Sequence, residues 1–180
     1  GHSPLLAATN PAVVASDPAY SYETAHIVRL GLGRMYGENP EDIMYYLTVY
    51  NEPIRQPKEP ENLDVEGVLR GMYLLNPGSF DGVDENARRA QILVSGVAAP
   101  WGLEAQELLK RDFGVVAHVW SVTSWGELRR EGMELDKKKF NDPSNDERTW
   151  VEQKLADTQG PIVASTDFST MLPDLIRPWV

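Results

Sequence analysis

Ile43-Met-Tyr-Tyr-Leu-Thr-Val-Tyr-Asn-Glu-Pro53 is a run of aromatic and β-branched residues that ends abruptly in polar ones. From Ile43 to Tyr50 there is little alternation, which predicts a strand covered on both faces of a parallel sheet. The polar end matters as much as the apolar body, because open α/β folds collect ligands outside the carboxyl ends of their strands. A second run of the same kind, Val119-Trp-Ser-Val-Thr-Ser-Trp-Gly-Glu-Leu128, follows about seventy residues later.

Upstream of the first run, Asp17-Pro18 reads as a helix N-cap with proline at the first helical position. Tyr22, Ala25, Val28, Leu32 and Met35 then recur at the spacing of one helix face, and Gly37 with Pro40 stops the helix. A helix followed by an all-buried strand predicts a parallel sheet. Downstream, three prolines in eight positions (Pro53, Pro57, Pro60) sit among charges, which predicts an extended, exposed linker to Glu61. Leu63 to Arg70 predicts a short helix and Met72 to Leu75 a short strand, and the Gly, Asp and Asn between Asn76 and Arg89 predict a surface loop.

The α/β rhythm then restarts. Gln91 to Gly96 predicts a buried strand, and Trp101, Ala105, Leu108 and Leu109 the apolar stripe of the next helix. Val115 to Val122 predicts another strand, and Glu127 to Arg130 a short helix ended by Gly132. Ser144 with Glu147 reads as a capping box ahead of Trp150, Val151 and Leu155, in a helix closed by Gly160-Pro161. Ile162 to Ser165 predicts a third strand and Met171 to Ile176 a further helical turn. Strands alternating with helices and joined by right-handed crossovers predict an α/β, doubly wound sheet.

Composition narrows the function classes. With 180 residues, 42% hydrophobic and 24% charged, the chain can form one large domain or parts of two. A net charge of −10 argues against nucleic acid, whose binding needs clustered Lys and Arg. Lys137-Lys-Lys139 is flanked by Glu134, Asp136 and Asp142 and reads as a solvated face. No apolar stretch approaches the ~20 residues that span a bilayer, which argues against a membrane segment. The absence of cysteine excludes disulfides and thiolate chemistry and makes a reducing cytoplasm the simplest compartment.

Together with Gly1-His-Ser3 and Ile176-Arg-Pro-Trp-Val180, the two runs resemble the homodimeric-type E1 component of pyruvate dehydrogenase in its actinobacterial form, a family of transketolase-like thiamine diphosphate enzymes. The resemblance spans essentially every position and rests on order and spacing. It implies that residues 1–53 end a middle, pyrimidine-binding domain, that 54–87 are a linker, and that 88–180 begin a truncated C-terminal doubly wound α/β domain. It also implies that Gly1 is a cut and not a biological start, and that a last strand and helix lie beyond Val180.

The implied parent enzyme is a cytoplasmic homodimer that decarboxylates pyruvate on thiamine diphosphate with Mg2+ and reductively acetylates the lipoyl group of its E2 partner. The family's diphosphate and magnesium motif and its activating glutamate have no counterpart in these residues. Cofactor and metal binding are therefore expected outside them, and the isolated chain is expected to be inactive. The alternative is a non-catalytic dimerisation or assembly module. A separate small-ligand domain using the strand ends near Ser95 and Ser165 is the weakest reading.

The resemblance places His2 at the active-site edge, where an imidazole titrating near neutrality can shuttle a proton; positioning a loop is an equally weighted role. Transketolases carry a further histidine at the place of Pro4, so that role does not transfer. Asn51 and Glu52 fall at the edge of the substrate channel by the strand-end argument, with capping of the strand and bonding to the linker as the plainer role. Transketolases place an arginine for a sugar phosphate near here, and Tyr50-Asn-Glu52 has none, as suits pyruvate.

The other features read as structure. His26 and His118 have no metal-ligand spacing with His2. Gly31-Leu-Gly33 lies within a helix and is no phosphate loop. Ser95-Gly96 and Ser165-Thr-Asp167 read as strand-end caps, and Trp101, Trp120 and Trp125 as filling of the core and of a dimer contact.

Overall fold

The structure, a computed structural model, describes residues 1–180. Its elements are α1 (Ser3–Ala8), β1 (Val13–Ser16), α2 (Ser21–Tyr36), β2 (Met44–Leu47), α3 (Val65–Arg70), β3 (Tyr73–Asn76), β4 (Arg89–Val94), α4 (Ala99–Phe113), β5 (Val116–Ser121), α5 (Trp125–Asn141), α6 (Trp150–Leu155) and β6 (Ile162–Ser165). Short 3-10 segments cover Gly96–Ala98 and Pro173–Trp179. The strands form two sheets: a parallel pair, β1–β2, and a four-stranded sheet in the order β3–β5–β4–β6. In the latter β4 runs parallel to β5 and β6, while β3, from the segment between the two runs, is antiparallel to β5. The class is α/β, as the alternation predicts.

The larger sheet is covered on both faces. Ala90, Ile92 and Val94 of β4 and Ala117 and Val119 of β5 point to one side, where Tyr20, Tyr22 and Ile27 of the α2 region and Val68 of α3 pack on them. Leu93 and Trp120 point to the other, against Trp125 and Leu128 of α5, Trp150 and Val151 of α6, and Trp179. This period-two division fills both cores from the same strands. Residues 19–27 thus share a core with the second block.

Several expectations are corrected. Asp17 does not cap α2. The helix starts at Ser21, and the Glu23 carboxylate accepts from the Ala19 and Tyr20 N–H groups at 2.5 and 3.1 Å. The buried face of α2 is Tyr22, Glu23, Ile27 and Gly31, whereas Ala25, Val28 and Leu32 of the expected stripe face outward. Gly31 belongs inside because a Cβ there would meet the Tyr45 ring at 3.1 Å, so α2 lies directly on β2. β2 itself is four residues long and alternates between exposed and half-buried, because only β1 pairs with it.

On α4 the buried residues are Ala99, Gly102 and Gln106, and Trp101 is 57% exposed, so it fills no core here. Gly102 turns the helix that way, since a Cβ there would stand 2.6 Å from Val94. Gly132 does not end α5, which runs 17 residues through it. A Cβ on Gly132 would lie 2.5 Å from the Trp179 indole, so the glycine admits a ring. The capping box is Thr149 with Glu152, bonded reciprocally at 2.7 and 3.1 Å, while Ser144 turns back to Asp142. Sequence reading missed α1 and β1 altogether.

Candidate functional site: a strand-end junction

The carboxyl ends of the parallel strands of both sheets meet at Asp17, the residue after β1. Its N–H donates to Thr123 O, just past β5, at 2.8 Å, and its carbonyl accepts from Gly96 N, just past β4, at 3.0 Å. Its Oδ1 accepts from the Tyr50 hydroxyl at 2.7 Å and from the Thr48 hydroxyl, both just past β2. Beside it Ser95 donates to Thr166 Oγ1, past β6, at 3.1 Å. Gly96 has φ +51°, and a Cβ there would lie 2.5 Å from both Asp17 Oδ1 and the Tyr50 oxygen, so the close approach requires glycine.

Asp17 is 3% exposed. Burial pushes its carboxyl above the usual range, the Thr48, Tyr50 and Ser95 hydroxyls pull it partly back, and Asp167 adds to the rise. Burial and then the Asp17 carboxylate hold the Tyr50 phenol well above its ordinary value.

A second polar centre lies six residues further along the chain. Glu23 is fully buried, and its Oε1 accepts from the Tyr73 and Ser121 hydroxyls at 2.6 and 2.8 Å. With the Ala19 and Tyr20 N–H groups on Oε2, four donors surround one carboxylate and no cation touches it. This network ties α2 to β3 and β5.

His2 is exposed at the start of α1 and makes no side-chain capping bond. Asn51 and Glu52 are exposed just past Tyr50. The structure gathers their chain neighbours instead: Pro4, two residues after His2, lines a small cavity with Asp17, Tyr46 and Trp125. Asp17, Thr48 and Tyr50 are the junction residues that sequence reading missed. The signal was available, since Val13-Val-Ala-Ser-Asp17 is a short β-branched run ending in polar residues, as at Tyr50.

The histidines behave as structural groups. His26 Nε2 meets Glu59 Oε1 at 2.9 Å and holds the proline-rich segment to α2. His118 Nδ1 accepts from Gly78 N at 3.0 Å, and burial followed by the nearby Arg89 lowers its pKa.

The transketolase-like TK C-terminal domain model matches residues 71–178, and the pyruvate dehydrogenase E1 component middle domain model matches residues 1–57. The chain is 54% identical to the pyruvate dehydrogenase E1 component of Mycolicibacterium smegmatis over 181 residues, covering 100% of this chain and 19% of that protein. To those of Mycobacterium tuberculosis and Escherichia coli K12 it is 51% and 36% identical, again over 100% of this chain and 19% and 20% of theirs. The chain therefore spans about a fifth of the length of these relatives. Among solved structures, a transketolase from Leishmania mexicana shares the fold at TM-score 0.54 and 14% identity, over 94% of this chain and 20% of that one. One from Pichia stipitis does so at TM-score 0.56 and 18% identity, over 94% and 20%. The chain belongs to the transketolase-like C-terminal domain family, here preceded by a segment of the pyruvate dehydrogenase E1 middle-domain type.

Proposed function

We propose that this chain is the joint between the middle and C-terminal domains of a pyruvate dehydrogenase E1 that decarboxylates pyruvate on thiamine diphosphate and Mg2+ and acetylates the lipoyl group of E2 as a cytoplasmic homodimer. The observation that carries this reading is the identity of 54% running through the whole chain, across both matched domain types in order. The division into 1–53, a connection over 54–87 and 88–180 belongs to the same proposal. So do His2 at the active-site edge and Asn51 and Glu52 at the substrate channel.

The residues at the strand-end junction do not themselves fit the cofactor. No three His, Asp or Glu side chains converge as a metal-binding group, and the cavity at the strand-end junction has a volume of only about 10 Å3. Their part is to pack and orient: Asp17 joins the strand ends, Glu23 fastens α2 to the larger sheet, and the turn between His2 and Pro4 rests on that platform. No helix of the chain is long and apolar enough to cross a membrane.

The test is a chimera in which this chain replaces the matching fifth of the Mycolicibacterium smegmatis E1 component. The expected result is a folded dimer that acetylates a lipoyl domain from pyruvate, with His2→Ala lowering kcat by about tenfold to a hundredfold. A folded, cofactor-loaded chimera without activity would overturn the reading. An assembly module is the second reading, and the exposed apolar residues of α2 and β2 favour it: Val28, Leu32, Tyr36, Met44 and Tyr46.

A further inference from the structure

Two buried polar atoms near the strand-end junction have no partner within the protein, Asp17 Oδ2 and Trp125 Nε1. The first is an acceptor, the second a donor, and their residues are 3% and 2% exposed. Buried groups of this kind are almost always satisfied by protein or by ordered water. Both residues line one small cavity together with Pro4, Tyr46 and Leu172, with a volume of about 10 Å3. That is about the room one water molecule needs.

We infer that this cavity binds a single structural water that accepts a hydrogen bond from Trp125 Nε1–H and donates one to Asp17 Oδ2. A cation does not suit the site, because Trp125, a lining residue, brings an N–H donor that has no acceptor. Ser16 also lines the cavity and brings a hydroxyl for the second proton of the water, whereas the Ser124 hydroxyl already donates to Ala15 O at 2.6 Å and accepts from Glu127 N–H at 3.1 Å. Asp17 then divides its two oxygens: Oδ1 holds Thr48 and Tyr50 past β2, and Oδ2 reaches the first residue of α5 through the water. The bridge fastens β1, β2 and α5 around Pro4, and it requires only the fold, whatever the parent enzyme does.

The experiment is water-to-indole cross-relaxation by NMR on the full chain labelled with 15N-tryptophan. The protein carries its own controls. Trp120 Nε1 donates to Gln91 Oε1 at 2.9 Å and Trp150 Nε1 to Met72 O at 2.8 Å, so both are buried with protein partners. Trp125 Hε1, assigned by loss of its signal in Trp125→Phe or from through-space connectivities if that variant does not fold, is expected to show the cross-peak of a long-lived water. Trp120 and Trp150 are expected to show none. Asp17→Asn removes the charged acceptor and is expected to shorten the residence of that water about tenfold. A Trp125 indole signal without a water cross-peak, or with a protein acceptor in a crystal structure that orders internal waters, overturns the inference.

Discussion

At the residue scale the decisive group is Glu23, a carboxylate with four donors and no counter-ion. Truncation would leave the Ser121 hydroxyl and two backbone N–H groups unmet in the core, with the Tyr73 hydroxyl keeping only Tyr22. Glu23→Ala is therefore expected to lower stability by roughly 3 kcal/mol or more, read from urea unfolding. Its pH dependence has a definite sign. Burial raises the folded pKa above the ordinary 4.5, despite the opposing hydrogen bonds led by Tyr73 and Ser121. The folded state then holds the proton more tightly, so the contribution of this group is full below about pH 4.5 and is lost as pH rises through the folded value. Over that window the wild-type curve should fall relative to that of Glu23→Gln; parallel curves would sink the assignment. His118 has the opposite sense. Its folded pKa is depressed below 6.5, so its contribution is present above that value and is lost as pH drops through the folded pKa, when Nδ1 can no longer accept from Gly78 N–H. The Tm of the wild type should fall more between pH 7.5 and 5 than that of His118→Gln.

At the element scale, glycines that read as punctuation serve as contact surfaces. Gly132 looks like a helix end in the sequence, yet α5 continues for nine residues past it with the Trp179 indole laid across the gap. Gly132→Ala gains about 1 kcal/mol of helix propensity but overpacks the ring at about 1–3 kcal/mol. The net expectation is a loss of about 1 kcal/mol with a shift in Trp179 fluorescence, and a more stable variant would refute the contact. Helix starts follow the same logic. Ser144 with Glu147 and Thr149 with Glu152 are equivalent as strings. Only the second lies where α6 meets α5 and α3, with Trp150 N–H reaching Glu131 and its indole reaching Met72 O. Packing chose between two local signals of equal strength.

At the scale of the whole molecule, the two sheets differ in how well they are enclosed. The larger one is sandwiched, whereas β2 has a neighbour on one edge only and shows Met44 and Tyr46 on the face away from α2, while Val28 and Leu32 face outward from α2 on the other side. Exposed apolar side chains beside an unpaired strand edge drive association. Sedimentation equilibrium of the chain is expected to show self-association, weakened by Met44→Lys; a monodisperse monomer at 100 μM, about the concentration such weak contacts need, would count against it. The connection between the sheets is largely exposed; Ile54 packs on the core, and Gln56, to Ser21 N–H at 2.8 Å, and Glu59, to His26, are its polar anchors. Trypsin should therefore cut first at Arg55 or Lys58, and early cleavage within α2 would contradict the shared core.

Much of this was legible in the chain. The α/β alternation, the strands at Gln91–Gly96, Val115–Val122 and Ile162–Ser165, the helix after Leu63 and the exposed proline segment follow from local composition, because covered parallel strands and proline-rich connections have few alternatives. Which face each helix buries was decided only in three dimensions. Apolar stripes on α2 and α4 predict the faces of Val28 and Trp101, and the structure buries those of Gly31 and Gly102, where the absence of a side chain lets the helix lie against Tyr45 or Val94. The junction itself is a tertiary product. Asp17, Thr48, Tyr50, Gly96 and Trp125 are spread over more than a hundred residues, and no spacing rule links them. They meet because parallel strands in two sheets end on the same side, which brings one buried carboxylate within reach of them all.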